Sequence, residues 1–281
     1  MTYSIVGADT RALEVGGTGT SCLNGDDVYV IYGGVPDHGV VHAQAYYSVD
    51  GRTRGKQLLA AGDTPNQILT ALTDPAFDRE VTIRQYGIVD LTGQSAAYTG
   101  SGTTAYAGHL QGHVGSFAYS VQGNILTSSK VLEQAAQAFE KDGCDLAERL
   151  MSALEAGAQG AQGDSRCTAR GIPSDSAFLQ VERPGGVAGD YLSLRVPSSG
   201  QDSPLPELRA KLDAWRVTHP CPEPVAGAPP LGVSDQDHAG CDCDSSRASA
   251  SDACAWLFCG LLIVAWRRQR ASRNLRPIVA P

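Results

Sequence analysis

Met1-Thr2-Tyr3-Ser4-Ile5-Val6-Gly7 opens the chain. With Met1 removed, the first residue is a threonine that leads directly into an apolar, strand-like run. A free N-terminal threonine carries its own base. Its α-amine has an unperturbed pKa of about 7.7–8.0, and it can take the proton of the adjacent hydroxyl, which makes Thr2 a candidate self-activated nucleophile. What this run pairs with decides the fold.

Residues 3–8 and 13–20 read as a hairpin around the Asp9-Thr10 turn. The run Val28-Tyr29-Val30-Ile31-Tyr32 has the composition of a buried strand, and residues 40–47 read as another after the Pro36-Asp37-His38-Gly39 turn. Residues 54–61 then have helix-forming composition, and Thr64-Pro65 marks a helix start, with threonine as cap and proline in the first helical position. Residues 81–91 and 94–100 return to strand, and residues 118–125 form a compact polar-apolar run. Residues 128–141 and 144–158 are amphipathic helices. Strands at 176–181 and 191–196 and a helix at 204–215 complete the body. Blocks of sheet therefore alternate with helix pairs. Regular parallel βαβ units would place single helices between single strands. The expectation is instead an α+β sandwich, with antiparallel sheets packed together and helices outside, over residues 1–217.

Bulk properties exclude some functions. The formal net charge is -8, and no basic patch occurs in the body, so nucleic acid is not the expected partner. The six histidines do not form a metal set; His109 and His113 are four apart but lie among glycines. No phosphate-binding loop, GxSxG or HExxH pattern occurs. Neither metal nor cofactor is expected. Eight cysteines are present, none in zinc-type pairs. Scattered cysteines read either as disulfides of an oxidising compartment or as reduced buried thiols, and the C-terminal tail tips the reading toward export. Four body cysteines allow three pairings; the expectation pairs Cys144 with Cys167 and Cys22 with Cys221.

Residues 218–252 form a linker rich in proline, then in serine and aspartate. Residues 253–266 are continuously apolar, with Trp256 and Trp266 near the two ends, and 267–281 are basic. As a helix the apolar run reaches roughly 21 Å, short against a hydrocarbon core of about 30 Å. The flanking arginines place the basic end in the cytoplasm and the main domain outside, with the membrane as a partner through this segment. An outward-facing domain needs an export signal, and none precedes Met1. The expectation is a start codon further upstream, with processing that leaves Thr2 at or near the new N-terminus.

Several phrases resemble domain-of-unknown-function family 1028: Thr2-Tyr3-Ser4-Ile5-Val6, Gln85-Tyr86-Gly87-Ile88-Val89-Asp90, Ala97-Tyr98-Thr99-Gly100, Tyr119-Ser120-Val121-Gln122-Gly123-Asn124-Ile125-Leu126, and Leu146-Ala147-Glu148-Arg149-Leu150 through Gly163-Asp164-Ser165-Arg166. The match runs in order to about Trp215. It implies a four-layer αββα Ntn-hydrolase-like sandwich and kinship with N-terminal-nucleophile amidohydrolases; it implies no substrate. The tail is similar to the MYXO-CTERM sorting signals of myxobacterial surface proteins, with Cys241 and Cys243 at the positions of the signal's cysteine. The tail reads alternatively as an ordinary anchor.

These readings select the candidate site. Thr2 is the nucleophile. Asn124 and Gln122 carry side-chain amides that can donate to a developing oxyanion or cap a turn. The spacing of Asp164 and Arg166 lets a carboxylate hold the N-terminal ammonium while the guanidinium binds a substrate anion. Gln44 and Asp9 are further binding or orienting candidates. The function expected is hydrolysis of an amide bond in a small peptide or cell-wall fragment at the cell surface. The alternatives are a non-catalytic ligand-binding domain on the same scaffold at the envelope and a purely structural surface protein. A homo-oligomer is compatible with each.

Overall fold

In the computed structural model the described residues are 2–141 and 143–222. The linker from 223, the apolar run, the basic tail, Cys241 and Cys243 lie outside them. Among the described residues no helix is long and apolar enough to cross a membrane.

The fold is a mixed α+β one with two antiparallel sheets and six α-helices among the described residues. Strands β1 (Thr2–Asp9), β2 (Glu14–Ser21), β7 (Gly108–Val114), β8 (Phe117–Asn124), β9 (Ser176–Glu182) and β10 (Leu192–Val196) form a six-stranded sheet in the order β10-β9-β2-β1-β8-β7. Strands β3 (Tyr32–Val35), β4 (Gly39–Ala45), β5 (Arg84–Asp90) and β6 (Ser95–Thr99) form a four-stranded sheet in sequence order. The sheets face one another, with β1 against β4 and β5, β5 against β8, and β6 against β7. The opening run is thus a central strand, buried along its whole length and paired on both sides.

The helices cover the outer faces. Helices α1 (Val49–Ala60) and α2 (Pro65–Leu72) pack on the four-stranded sheet, burying Leu59, Ile68 and Leu72 against Val41, Tyr86 and Ile88. Helix α2 starts where the sequence indicates: the Thr64 side chain accepts from the Gln67 backbone and the Gln67 side chain accepts from Thr64, a reciprocal cap that satisfies two otherwise orphaned donors. Helices α3 (Lys130–Glu140), α4 (Leu146–Ala156) and α6 (Leu205–Arg216) cover the larger sheet. Helix α5 (Ser165–Thr168) is a single turn.

Two expectations are corrected. Val28–Ile31 is a 3-10 turn rather than a strand, capped by the Asp27 carboxylate. Val28 and Ile31 are buried three residues apart, the side-chain spacing of such a turn, and a short apolar run has no periodicity to separate the two states. Strand β7 was not anticipated within the glycine-rich residues 100–115. It is an edge strand with one partner, so much of it stays wet and the alternation that marks a half-buried strand is weak.

Candidate functional site

Period-two alternation assigns each face of β1. Tyr3 and Ile5 point to the helical side, while Val6 and Ala8 point between the sheets, as do Ser4 and Thr2. Thr2 therefore starts the central strand at one end of the inter-sheet layer. It lies opposite Ser21 on one neighbour and Asn124 on the other. Its hydroxyl is buried and donates to Ser21 Oγ at 3.3 Å.

Behind Thr2 lies a buried polar network. Ser4 Oγ donates to Gln44 Oε1 at 2.6 Å and accepts from Gln122 Nε2 at 2.7 Å. Ser120 Oγ donates to Gln122 Oε1 at 2.9 Å. Gln44 Nε2 donates to Gln85 Oε1 at 2.8 Å, with a longer contact of 3.4 Å to the Thr2 carbonyl. Asn124 Nδ2 gives Gln85 Oε1 a second donor at 2.9 Å. Gln85 Nε2 faces the carbonyl oxygens of Gly123 (2.8 Å) and Gly108 (3.0 Å) and Thr99 Oγ1 (2.9 Å). Carbonyls only accept, so the Gln85 amide has one admissible orientation, and it fixes that of Asn124. Thr99 Oγ1 also lies 2.9 Å from His109 Nδ1, within hydrogen-bond distance. Burial pushes the His109 pKa down, which favours the neutral ring. The sheets close this tightly because residue 87 is glycine: a Cβ there would lie 2.1 Å from Gln122 Oε1.

A cavity of 230 Å³ adjoins this end, lined by Ala45, Tyr46, Thr103, Thr104, Asn124 and Arg166, among others. Two non-glycine residues on its wall are held at positive φ, Ala45 at 71° and Ile125 at 51°. For a β-branched residue such as Ile125 this is a strained state that its surroundings must impose. Here Ile125 N donates to the Thr104 carbonyl at 2.8 Å, and its own carbonyl accepts from Ser165 N at 3.2 Å.

That last bond brings in the 164–166 loop. Asp164 caps α5 and is buried; its carboxylate accepts from Cys22 N (2.8 Å) and Arg166 N (2.9 Å) and pairs with the Arg166 guanidinium at 3.1 Å. Cys22 follows Ser21, the partner of Thr2. Thr2, Asn124, Asp164 and Arg166 are thus gathered at one end of the layer. The Asp164 carboxylate is engaged by Cys22 and Arg166. Thr2, Asp164, Gln44 and Gln122 do not line the cavity; Thr2 pairs with Asn124 and Asp164 with Arg166, which do, and the two glutamines belong to the network behind it. Asp9 is not at this site. It ends β1 at the far end, about 23 Å away at roughly 3.3 Å per residue, where it accepts from Arg11 N at 2.9 Å. Gln85, the hub of the network, and Ser21 were missed. Gln85 stands first in the phrase Gln85-Tyr86-Gly87-Ile88-Val89-Asp90, the one signal that could have singled it out.

The disulfide pairing is corrected as well. Cys22 bonds Cys167, and Cys144 bonds Cys221. The polar contact of Cys22 N with Asp164, three residues before Cys167, sets the first pair beside the 164–166 loop. The second pair lies at the opposite end, near Asp9 and Asp145. Among the described residues the one cluster with metal-ligating atoms is Cys22, Cys167 and Asp175, and its sulfurs are joined to each other.

A family model described as a family of unknown function, DUF1028, matches residues 2–208. The chain belongs to the DUF1028 family. The crystal structure of protein SPO2555 from Silicibacter pomeroyi, itself assigned to DUF1028, is 24% identical, with a TM-score of 0.63 over 76% of this chain and 89% of that one. At that identity the likeness speaks for the fold. A search of curated proteins finds no match.

Proposed function

We propose that this DUF1028 protein is an amidohydrolase of the N-terminal-nucleophile type, with Thr2 as nucleophile and an amide of a small peptide or cell-wall fragment as substrate. The observation that carries the reading is the position of Thr2: first residue of the central strand, between two facing sheets, and paired with Asn124, which with Arg166 lines the 230 Å³ cavity. The helix-covered pair of sheets supports the four-layer αββα Ntn sandwich as its scaffold.

In this reading, removal of Met1 frees the Thr2 amine. The amine takes the hydroxyl proton as Oγ1 adds to the amide carbonyl carbon. The C–N bond breaks as the leaving nitrogen receives that proton, and an ester remains on Thr2. Water then adds to the ester, the acid departs and Oγ1 regains its proton. Asn124 Nδ2 spends one hydrogen on Gln85 and keeps a second, which serves as oxyanion donor; such a donor is worth about 2.7–4 kcal/mol. Asp164 orients Arg166, which binds an anionic group of the substrate. The two disulfides fit an oxidising compartment. They support display outside the cytoplasm, with the tail from 241 onward as a MYXO-CTERM-like sorting signal.

Mass spectrometry of the native protein treated with a β-lactone electrophile tests the reading. The expected result is a mature chain that starts at Thr2 and carries one adduct there, absent in Thr2→Ala. A mature chain that retains Met1 or begins upstream removes the nucleophile and the proposal with it.

A further inference from the structure

At the Thr2 end of the layer, one strand from each sheet stops in the same way. On β4 the last inward amide, Gln44, is followed by Ala45 at φ 71°; on β8 the last, Asn124, is followed by Ile125 at φ 51°. Left-handed backbone favours glycine, and other residues keep it only where their surroundings impose it. Ala45 is held through the residue after it. Tyr46 N donates to the Ile83 carbonyl at 3.3 Å, and the Tyr46 carbonyl accepts from Arg84 Nη1 at 2.8 Å. Arg84 is itself fixed by Asp78 at 2.8 Å and Glu80 at 3.0 Å.

The bend decides where Tyr46 goes. Along β4, Val40 and Gln44 face the layer between the sheets, while Val41 and Ala43 face the helices. Period-two alternation would carry residue 46 into the layer after Gln44, whose amide lies 3.4 Å from the Thr2 carbonyl. A tyrosine there would fill the end of the layer. Turned out at Ala45, Tyr46 instead lines the 230 Å³ cavity and is 61% exposed. Among the described residues its ring stacks on no aromatic or cationic side chain. The charged groups nearby are engaged with one another, Arg166 with Asp164 and Arg84 with Asp78 and Glu80. Of the lining residues, Tyr46 is the one large apolar side chain left exposed.

The cavity is smaller than the roughly 300–1,000 Å³ of pockets that enclose a drug-sized ligand. It takes one end of a ligand, and the rest must lie over the rim. We propose that Tyr46 determines specificity here: the polar end of the ligand enters beside Asn124 and Arg166, and an adjoining apolar side chain, best an aromatic ring, lies on the face of Tyr46. Paired rings gain attraction beyond the area they bury. With the hydrolase reading, on which this clause rests, the substrate is an amide flanked by a bulky apolar side chain. The binding itself does not require that Thr2 react.

Calorimetric titration of the full chain with N-acetyl-L-phenylalanine and N-acetyl-L-alanine tests this. Both probes carry the amide and the carboxylate, and they differ in the ring. The wild type is expected to bind the phenylalanine derivative about fivefold more tightly or better, the size of a ring contact. Tyr46→Ala is expected to bring the two to equal affinity, and Tyr46→Phe, which keeps the ring, to preserve the preference. No binding of the phenylalanine derivative by the wild type, equal binding of the two probes, or a preference that survives in Tyr46→Ala overturns the proposal. Loss of the preference in Tyr46→Phe overturns it too, since the contact would then belong to the hydroxyl. The hydrolase reading fails separately: a chain that shows the preference but takes no β-lactone adduct on Thr2 keeps this site and loses that reaction.

Discussion

The layer between the two sheets is filled in two ways along the same strands. At one end, β1 contributes Thr2 and Ser4, β8 Asn124 and Gln122, β4 Gln44 and β5 Gln85. At the other end the inward residues of those strands are Val6, Ala8, Ala118, Val40 and Val89, packed with Phe178. The strand register runs unbroken through both. Valine and alanine evidently suffice to hold these sheets together, since they do so a few residues further along. The polar end gives what apolar packing cannot, which is direction. Each amide has one admissible orientation, set by carbonyls that only accept, and the chain of orientations ends on Asn124 at the cavity beside Thr2.

The comparison is broken most forcefully from the apolar side. Phe178 makes edge contacts with Tyr29, Tyr32 and His42. Phe178→Ala is expected to cost about 3–5 kcal/mol in urea unfolding, with the β-lactone adduct on Thr2 retained under native conditions. Next comes the hub of the polar side. Gln85→Leu removes the acceptor of Gln44 and Asn124 and the donor to two carbonyls. With orphaned groups costing about 1–3 kcal/mol each, a loss of about 3 kcal/mol is expected, and here labelling of Thr2 should fall because the Asn124 amide is released. A Gln85→Leu protein that unfolds and labels like wild type would show the network to be filler.

The sequence carries those parts of this arrangement that are local. The Thr64 cap, the amphipathic helices and the alternation of β1 are set by neighbours within a turn or two, and each can be read without knowing the fold. Thr2, Asn124, Asp164 and Arg166 could be proposed as one group because their phrases resemble one family. What the sequence hides is tertiary. Gln44 and Gln85 are 41 residues apart, and a strand glutamine looks the same whether it crosses a ladder or anchors a network. The cysteine pairing depends on which loop folds over which strand end. Residues 28–31 were misread because Asp27, through its own side chain, turns a β-rich run into a 3-10 turn.

His42 marks the boundary between the two halves. It is fully buried between Tyr32 and Phe178, neither ring nitrogen has a hydrogen-bond partner among the described residues, and burial pushes its pKa down to about 3. The ring fits because residue 17 is glycine; a Cβ there would lie 2.4 Å from Nε2. Above about pH 6.5 the ring is neutral in both folded and unfolded chains. Below that, the unfolded chain takes up a proton that the folded chain refuses until about pH 3. Stability should therefore fall with pH across this window, by up to about 1.4 kcal/mol per unit from this group. The difference between wild-type and His42→Leu denaturation curves, taken from about pH 7 to pH 4, isolates that slope. Parallel pH profiles would mean that His42 reaches a partner or water and is not sealed in the layer.

The smallest effect is the most discriminating. Ser120 stands opposite Val6 in the ladder, where polar gives way to apolar, and its single role in the network is the 2.9 Å bond to Gln122 Oε1. Ser120→Ala leaves Gln122 Nε2 bound to Ser4, so about 1 kcal/mol should be lost, a third of the Gln85→Leu effect. Combined with Phe178→Ala, it asks whether the two halves are separate. If they are, the double variant loses the sum of the single effects to within about 0.3–0.5 kcal/mol. If the amide orientations depend on the packing beyond them, the sum fails, because a network that polarises along its length responds as a unit to a shift at its edge. Additivity in that cycle would leave the polar end free to be altered for chemistry while the apolar end holds the sheets together.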